Sequence, residues 1–121
     1  MQMLNLDTHV LVYALLDDLT QKEQRLLTTH TWSISAIVLW ELAKLQQLKR
    51  IVVDLDAAAI TQRLSALRVW PLDLAVARQS TRLDFLSDPA DEIIAATSIV
   101  HRVPLLTRDR RMRTSRMVPL A

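Results

Sequence analysis

Hydrophobic positions along the chain fall into short apolar runs separated by segments with helical periodicity. Met3–Leu6, Val69–Leu72 and Val103–Thr107 are brief apolar runs, and Trp32–Ser35 alternates as a short strand does. Met117–Leu120 is a candidate for a fifth strand. Strands alternating with helices are typical of a parallel sheet covered on both faces. We therefore predict an α/β fold with three layers, in which a short parallel sheet of four to five strands is flanked by helices.

Capping residues mark where the intervening helices begin. Short polar side chains accept hydrogen bonds from the first backbone N–H groups, and proline suits the first helical position. The predicted helices span about 9–16 after Asp7-Thr8, 20–29, Ser35 to about Leu48, Asp54 or Asp56 to about Leu67, a segment after Asp73, and a segment from Asp88-Pro89. The sequence contains no linker or repeat, so we predict a single domain over residues 1–121.

The composition removes several classes of site. The chain of 121 residues has no cysteine, which excludes disulfides, thiolate zinc sites and cysteine nucleophiles. It has no glycine, so the glycine-rich loops that bind nucleotide cofactors are excluded. Its three histidines match no familiar zinc spacing. A bound metal would therefore be a hard ion held by oxygen atoms.

The distribution of charge is more informative than its total. The net charge is +2, but between Arg102 and Arg116 there are six arginines and one acid, Asp109. A basic segment beside a carboxylate suits an enzyme that acts on a polyanion. The alternative is a solvated surface segment with no binding role. No apolar run is long enough to cross a bilayer and the first residues do not resemble a signal peptide, so we expect a cytoplasmic protein without a membrane partner.

Four acidic residues lie near the predicted carboxyl ends of strands, where ligands bind in open α/β sheets. Asp7 and Asp109 follow strands, and Glu41 and Asp91 lie in the early turns of helices. If they converge, their mutual repulsion requires cations, which predicts a metal site. Three of them have local alternatives. These are a helix cap at Asp7, a capping partnership of Asp91 with Asp88, and a turn at Asp109.

Glu41 stands in the run IVLWELAKLQQL, which places apolar side chains all around a helix and so predicts a buried helix. A buried carboxylate without a partner is costly, and a cation is its natural partner. The alternative is a salt bridge with Lys44. For Trp32, Trp40 and Trp70 we expect core packing rather than stacking on nucleic-acid bases.

The chain resembles the PIN domains, and among them the VapC toxins of bacterial toxin–antitoxin pairs. The resemblance rests on LDTHVLVYAL (6–15), SISAIVLWELAKL (33–45) and DPADEIIAATSIVHRVPLLTRD (88–109), together with a terminal strand near Met117. These motifs occur in the order and spacing of the family and run nearly from end to end. The segment between about 50 and 80 is the weakest match.

The resemblance implies a metal-dependent endoribonuclease that hydrolyses RNA phosphodiesters with Mg²⁺ or Mn²⁺. It assigns the metal ligands to Asp7, Glu41, Asp91 and Asp109, and a hydroxyl beside the site to Thr107. Glu92 departs from the pattern, because many relatives have arginine after the third acid. This exchange makes the site more acidic and removes a phosphate contact.

The resemblance also implies a VapB-like antitoxin partner and a homodimer, with no nucleotide cofactor. Arg108, Arg110 and Arg111, which lie nearest to Asp109, are the candidates for following an RNA backbone. The alternatives are a non-catalytic PIN-like module that binds RNA or protein, and a different Mg²⁺-dependent α/β enzyme, receiver-like or phosphatase-like, that works through its own phosphorylated aspartate after a strand, here Asp7.

Overall fold

Four parallel strands form one sheet in the computed structural model, which describes residues 2–121. The strands are β1 (Met3–Leu6), β2 (Thr31–Ser35), β3 (Arg68–Trp70) and β4 (Leu105–Leu106). Their order in the sheet is β3-β2-β1-β4. Because β1 pairs with both β2 and β4 in parallel, the chain leaves these strands at the same edge of the sheet. The predicted α/β fold with a short parallel sheet is confirmed.

Seven helices flank this sheet within residues 2–121. They are α1 (Thr8–Leu15), α2 (Gln21–Thr29), α3 (Ala36–Gln47), α4 (Ala58–Ser65), α5 (Leu74–Ser80), α6 (Pro89–His101) and α7 (Arg110–Arg113). Asp7, Ser35 and Asp73 each accept a hydrogen bond from the first turn of the helix that they precede. The predicted starts of these three helices are therefore confirmed.

The core lies between the sheet and the helices that cover it. Apart from the partly buried Met3, side chains of β1 and β4 are almost fully buried, and the apolar ones pack against apolar residues of α1, α3 and α6. The fully buried members include Leu4, Leu6, Val10, Leu11, Ile34, Val38, Leu42, Ile94 and Leu105. Across residues 2–121, no helix combines the length and the apolar character needed to cross a bilayer.

Two segments differ from their predicted structure. The fourth helix begins after Ala57 rather than at Asp54 or Asp56, because the Asp54 carboxylate accepts a hydrogen bond from the Asp56 backbone N–H at 2.9 Å and forms a local turn instead. The candidate fifth strand is reduced to one parallel bridge between Leu105 and Leu120. Pro119 contributes its carbonyl to this pairing but has no N–H with which to extend the ladder.

The prediction of a wholly buried third helix is wrong. Val38 and Leu42 are fully buried, but Leu39 is 39% exposed and Trp40 is 55% exposed. The prediction of core packing is therefore also wrong for Trp40. Trp32 and Trp70 are half-buried, and each donates its indole N–H to an acceptor within the protein. Apolar residues all around a helix predict burial only when neighbouring elements cover every side, and in this chain α3 is covered on one.

Candidate active site

The end of β1 places Asp7 at the edge of the sheet. Its side chain is 4% exposed and accepts two hydrogen bonds within the protein. The Thr8 backbone N–H donates to Oδ1 at 2.8 Å, and the Thr107 hydroxyl donates to Oδ2 at 2.7 Å. Asp7 therefore caps α1, as its local alternative predicts. It also accepts a hydrogen bond from Thr107, which is 100 positions away in the sequence. A cap alone does not explain this second contact.

The chain leaving β4 brings Thr107 and Asp109 beside β1. Thr107 is buried, and its oxygen also accepts a hydrogen bond from the Asp109 backbone N–H at 2.9 Å. The Asp109 carboxylate accepts from the backbone N–H groups of Arg111 at 2.8 Å and Met112 at 3.3 Å, and so caps α7. Both of these bonds go to Oδ1, which leaves Oδ2 without a hydrogen bond within residues 2–121.

Glu41 reaches the same region from α3. The Thr8 hydroxyl donates to its Oε1 at 2.5 Å, so Thr8 donates to both acids, to Asp7 from its backbone N–H and to Glu41 from its side chain. The salt bridge to Lys44 does not form, because the Lys44 ammonium donates to the Gln47 side chain at 3.0 Å. Glu41 is half-buried and forms no salt bridge within residues 2–121.

Asp91 lies in the first turn of α6. The Ser87 hydroxyl donates to its Oδ2 at 2.9 Å. The Asp88 side chain makes no capping bond, so the capping partnership between Asp88 and Asp91 is wrong. Glu92, which departs from the family pattern, accepts a weak hydrogen bond from the Ser87 backbone N–H at 3.4 Å. Ser87 thus links both acids to the loop that precedes the helix.

The charges of these acids act on one another. Burial is the main cause of the raised pKa values of Asp7, Glu41 and Asp91, and hydroxyl donors offset part of it. The negative charge of Glu41 raises the pKa of Asp7 further, and that of Asp91 raises the pKa of Glu41. Asp7 and Asp109 both raise the pKa of Asp91. The structure therefore brings the four predicted acids within electrostatic reach of one another.

The cluster has the donor chemistry that a hard divalent cation prefers, since every candidate ligand atom is an oxygen. Glu41 Oε2, Asp91 Oδ1 and Asp109 Oδ2 accept no hydrogen bond from residues 2–121, and none is sealed from solvent. In the described part of the chain, no three histidine or acidic side chains are close enough to enclose an ion as they stand. The residues fit a cation by charge and donor type, and binding requires the carboxylates to draw together.

The three arginines predicted to follow RNA have different surroundings. Arg110 and Arg111 are exposed on α7, where Arg111 makes one weak contact to the Leu86 carbonyl at 3.4 Å. The Arg108 guanidinium is instead held by Glu23, with N–O distances of 2.8 and 2.7 Å. This ion pair lowers the pKa of Glu23 to about 2, mainly through the hydrogen bonds from Arg108.

Sequence reasoning did not identify Glu23 as the partner of Arg108 or Ser87 as a donor to Asp91. The order Thr20–Glu23 is a visible capping-box signal, and the box does form, with N–O distances of 2.9 and 3.2 Å. Nothing in that signal points to Arg108, which is 85 positions away. Ser87 precedes the Asp-Pro helix start and could have been considered as a donor to the first turn.

Known proteins with this sequence pattern and fold support one family. Ribonuclease VapC22 from Mycobacterium tuberculosis is 36% identical over 87 residues, which cover 69% of this chain and 67% of that protein. A toxin–antitoxin complex from Klebsiella pneumoniae matches with a TM-score of 0.70 and 21% identity, over 92% of this chain and 90% of the other. DNA-bound VapBC from Salmonella typhimurium matches with a TM-score of 0.70 and 19% identity, over 100% of this chain and 98% of the other. A model of the PIN domain matches residues 5–116, and the chain belongs to the PIN domain family.

Proposed function

We propose that this protein is an endoribonuclease, the toxin of a VapBC-type toxin–antitoxin pair, which hydrolyses RNA phosphodiesters with a divalent metal ion. The similarity to ribonuclease VapC22 supports the reaction. The observation that carries the proposal is the group of four carboxylates at the edge of the sheet, linked through Thr8 and Thr107 and joined to no cation by a salt bridge within residues 2–121. Natural proteins rarely retain uncompensated, partly buried charge unless it serves a function.

The proposed ligands of Mg²⁺ or Mn²⁺ are the carboxylates of Asp7, Glu41, Asp91 and Asp109. A divalent ion held there would stabilise negative charge at the phosphodiester and acidify water. The protein itself orients these ligands through second contacts, because Thr8, Thr107 and Ser87 each donate to one carboxylate oxygen. Each donor leaves its carboxylate able to accept a metal on another lone pair.

We assign substrate contact to the exposed arginines that follow Asp109. Arg110 and Arg111 extend from α7, directly after Asp109, and both are exposed. Arginine side chains in this position suit the phosphates of a single-stranded RNA. Glu92 lies beside Asp91 and accepts from the loop, so it supports the start of α6 rather than the substrate.

Two partners complete the proposal. Several structures with this fold are complexes of a toxin with an antitoxin, which supports a VapB-like antitoxin as partner here. We also propose a homodimer, for which the partly exposed apolar residues of α3 provide candidate surface. The proposed enzyme uses no nucleotide cofactor.

An RNA cleavage assay tests the reaction. The purified chain should cleave an end-labelled, random-sequence RNA pool in Mg²⁺ or Mn²⁺, and a chelator should stop cleavage. Asp7→Asn should reduce the rate about a hundred- to a thousandfold, since metal-ion stabilisation is worth several kcal/mol. Asp56→Asn is the matched control, because it removes one exposed carboxylate from the loop before α4.

Cleavage that persists in chelator, or that Asp7→Asn leaves unchanged, would contradict the proposed site. Tight RNA binding without cleavage under every metal condition would indicate a non-catalytic module instead. Trapping of a phosphorylated Asp7 would indicate phosphoryl transfer to protein.

A further inference from the structure

Arg108 is 38% exposed, but its guanidinium is paired with an acid of the same protein. Its Nε and Nη2 atoms donate to the two carboxylate oxygens of Glu23 at 2.8 and 2.7 Å. Nη2 also donates to the Asp18 carbonyl at 3.3 Å. A bidentate pair of this kind is stronger and more directional than a single contact. It is also the only salt bridge among residues 2–121.

Further contacts hold both the Arg108 guanidinium and the Glu23 carboxylate in place. The guanidinium carbon lies 3.8 Å from the centroid of the Tyr13 ring, at a distance that favours cation–π attraction. Glu23 is 7% exposed and is immobilised by its capping box with Thr20. We call Tyr13, Glu23 and Arg108 the clamp. It joins α1 and α2 to the chain that leaves β4.

The segment that the clamp holds carries two residues of the candidate site. Arg108 lies between Thr107, which donates to Asp7, and Asp109, whose N–H donates to Thr107. The adjacent strand β4 has only two residues, and its last bond to β1 is from the Asp7 N–H to the Leu106 carbonyl at 3.1 Å. Beyond that bond, side chains rather than a strand ladder hold the segment in place.

We propose that Glu23 and Arg108 are positioning residues of the metal site, which fix the Thr107–Asp109 segment so that its hydroxyl and carboxylate face Asp7 and Asp91. This inference rests on the proposed function, and it assigns Arg108 a role other than RNA contact. To bind a phosphate, Arg108 would have to leave Glu23 as an unpaired, buried carboxylate, which is costly.

Two conservative variants test the clamp. Glu23→Gln removes the charge but preserves the capping box, since glutamine also serves at that position. Arg108→Lys keeps the charge but loses the planar, bidentate fork. Each should lower kcat on the random-sequence RNA pool about 10- to 100-fold, with KM nearly unchanged, and should weaken Mn²⁺ binding, measured by calorimetry without RNA, by a similar factor. The double variant should lose little more than either single variant, because both break the same contact.

Asp56→Asn and Arg25→Lys are the matched controls, since both change exposed residues outside the clamp. They should keep wild-type kcat and Mn²⁺ affinity. All assays are run below the thermal unfolding midpoint of the least stable variant, so that loss of activity is not loss of the folded protein.

The outcomes separate the clamp from the enzyme proposal. If the wild type cleaves RNA and binds Mn²⁺ but Glu23→Gln matches it in both, the clamp proposal is overturned and the enzyme proposal stands. A raised KM in Arg108→Lys, with unchanged kcat and Mn²⁺ affinity, would return Arg108 to RNA contact and also overturn the clamp. If the wild type neither cleaves RNA nor binds Mn²⁺, the proposed function fails and the positioning role fails with it.

Discussion

The clamp and the acidic cluster both contact the Thr107–Asp109 segment, and the protein treats their carboxylates in opposite ways. In the clamp, Glu23 has a committed guanidinium partner, and its pKa falls to about 2. In the cluster, Asp7, Glu41 and Asp91 have only hydroxyl and amide donors, and burial raises their pKa values. A carboxyl group therefore loses its proton readily in the clamp and less readily in the acidic cluster.

This contrast distinguishes structural charge from functional charge. A carboxylate that is paired at folding contributes stability and has no capacity left for a ligand. Carboxylates that repel one another cost stability in the free protein, and a cation relieves that cost. The positions where the fold is locally unfavourable are therefore the positions where a metal ion is expected.

The largest expected effect comes from neutralising one member of the cluster. Asp91→Asn should reduce RNA cleavage about a hundred- to a thousandfold while preserving the contact with Ser87, because the amide oxygen still accepts that hydrogen bond. The same variant should be more stable than the wild type without metal. Cleavage and urea denaturation, measured on the same preparation with chelator present during denaturation, check both results.

The pH dependence of that gain follows from the sign of the shift. Because the folded pKa of Asp91 lies above its ordinary value of 3.8, native Asp91 binds its proton more tightly than unfolded Asp91. The penalty is absent below that ordinary value and appears as pH rises through the raised pKa. The advantage of Asp91→Asn should thus grow with pH and shrink when Mg²⁺ is added. A variant that is less stable than the wild type at neutral pH would contradict the contrast.

A smaller effect of opposite sign is expected in the clamp. Glu23→Gln should lower the free energy of unfolding by about 1.5–3 kcal/mol, the usual contribution of hydrogen bonds to charged groups. The folded pKa of Glu23 is depressed from 4.5 to about 2, so its contribution is present above 4.5 and is lost as pH falls toward about 2. Urea denaturation of wild type and variant should converge in acid. If the difference in free energy of unfolding between wild type and variant stayed constant across that pH range, the lost stability would be due to packing and not to the charge of Glu23.

The smallest effect is expected on the exposed arginines. Arg110→Ala and Arg111→Ala should each weaken RNA binding a few-fold and reduce the dependence of log affinity on log salt by about 0.7, the value for one phosphate contact on a single strand. Fluorescence anisotropy on Asp7→Asn protein measures binding without cleavage. Arg25→Ala on α2 is the control, and an equal loss there would indicate unspecific attraction.

Most secondary-structure elements could be predicted because their signals are local. The apolar run of β1, the caps at Ser35 and Asp73 and the proline at the start of α6 each predicted an element that the structure contains. The errors arose where one local sequence pattern is compatible with two different structures. The Asp54–Asp56 sequence can cap a helix or close a turn, and only the surrounding chain selects between them.

The site was predicted in part, for a related reason. Acids at strand ends converge whenever the sheet is parallel, so a carboxylate cluster followed from the pattern. The hydroxyl partners were less accessible, because Thr8 serves Glu41 and Thr107 serves Asp7 across 33 and 100 positions of the chain. The exposed position of Trp40 was missed because a sequence does not show which sides of a helix its neighbours cover.

By itself the sequence determined the class of fold, the absence of thiolate and glycine-loop chemistry, and the acids available to a metal, since each depends on residue type and local periodicity. The tertiary structure alone decided that Arg108 pairs with Glu23, and which oxygens of the acidic cluster remain unbonded. The physical reason is that pairing between charges depends on distance and burial. Those quantities exist only once segments far apart in the chain have packed together.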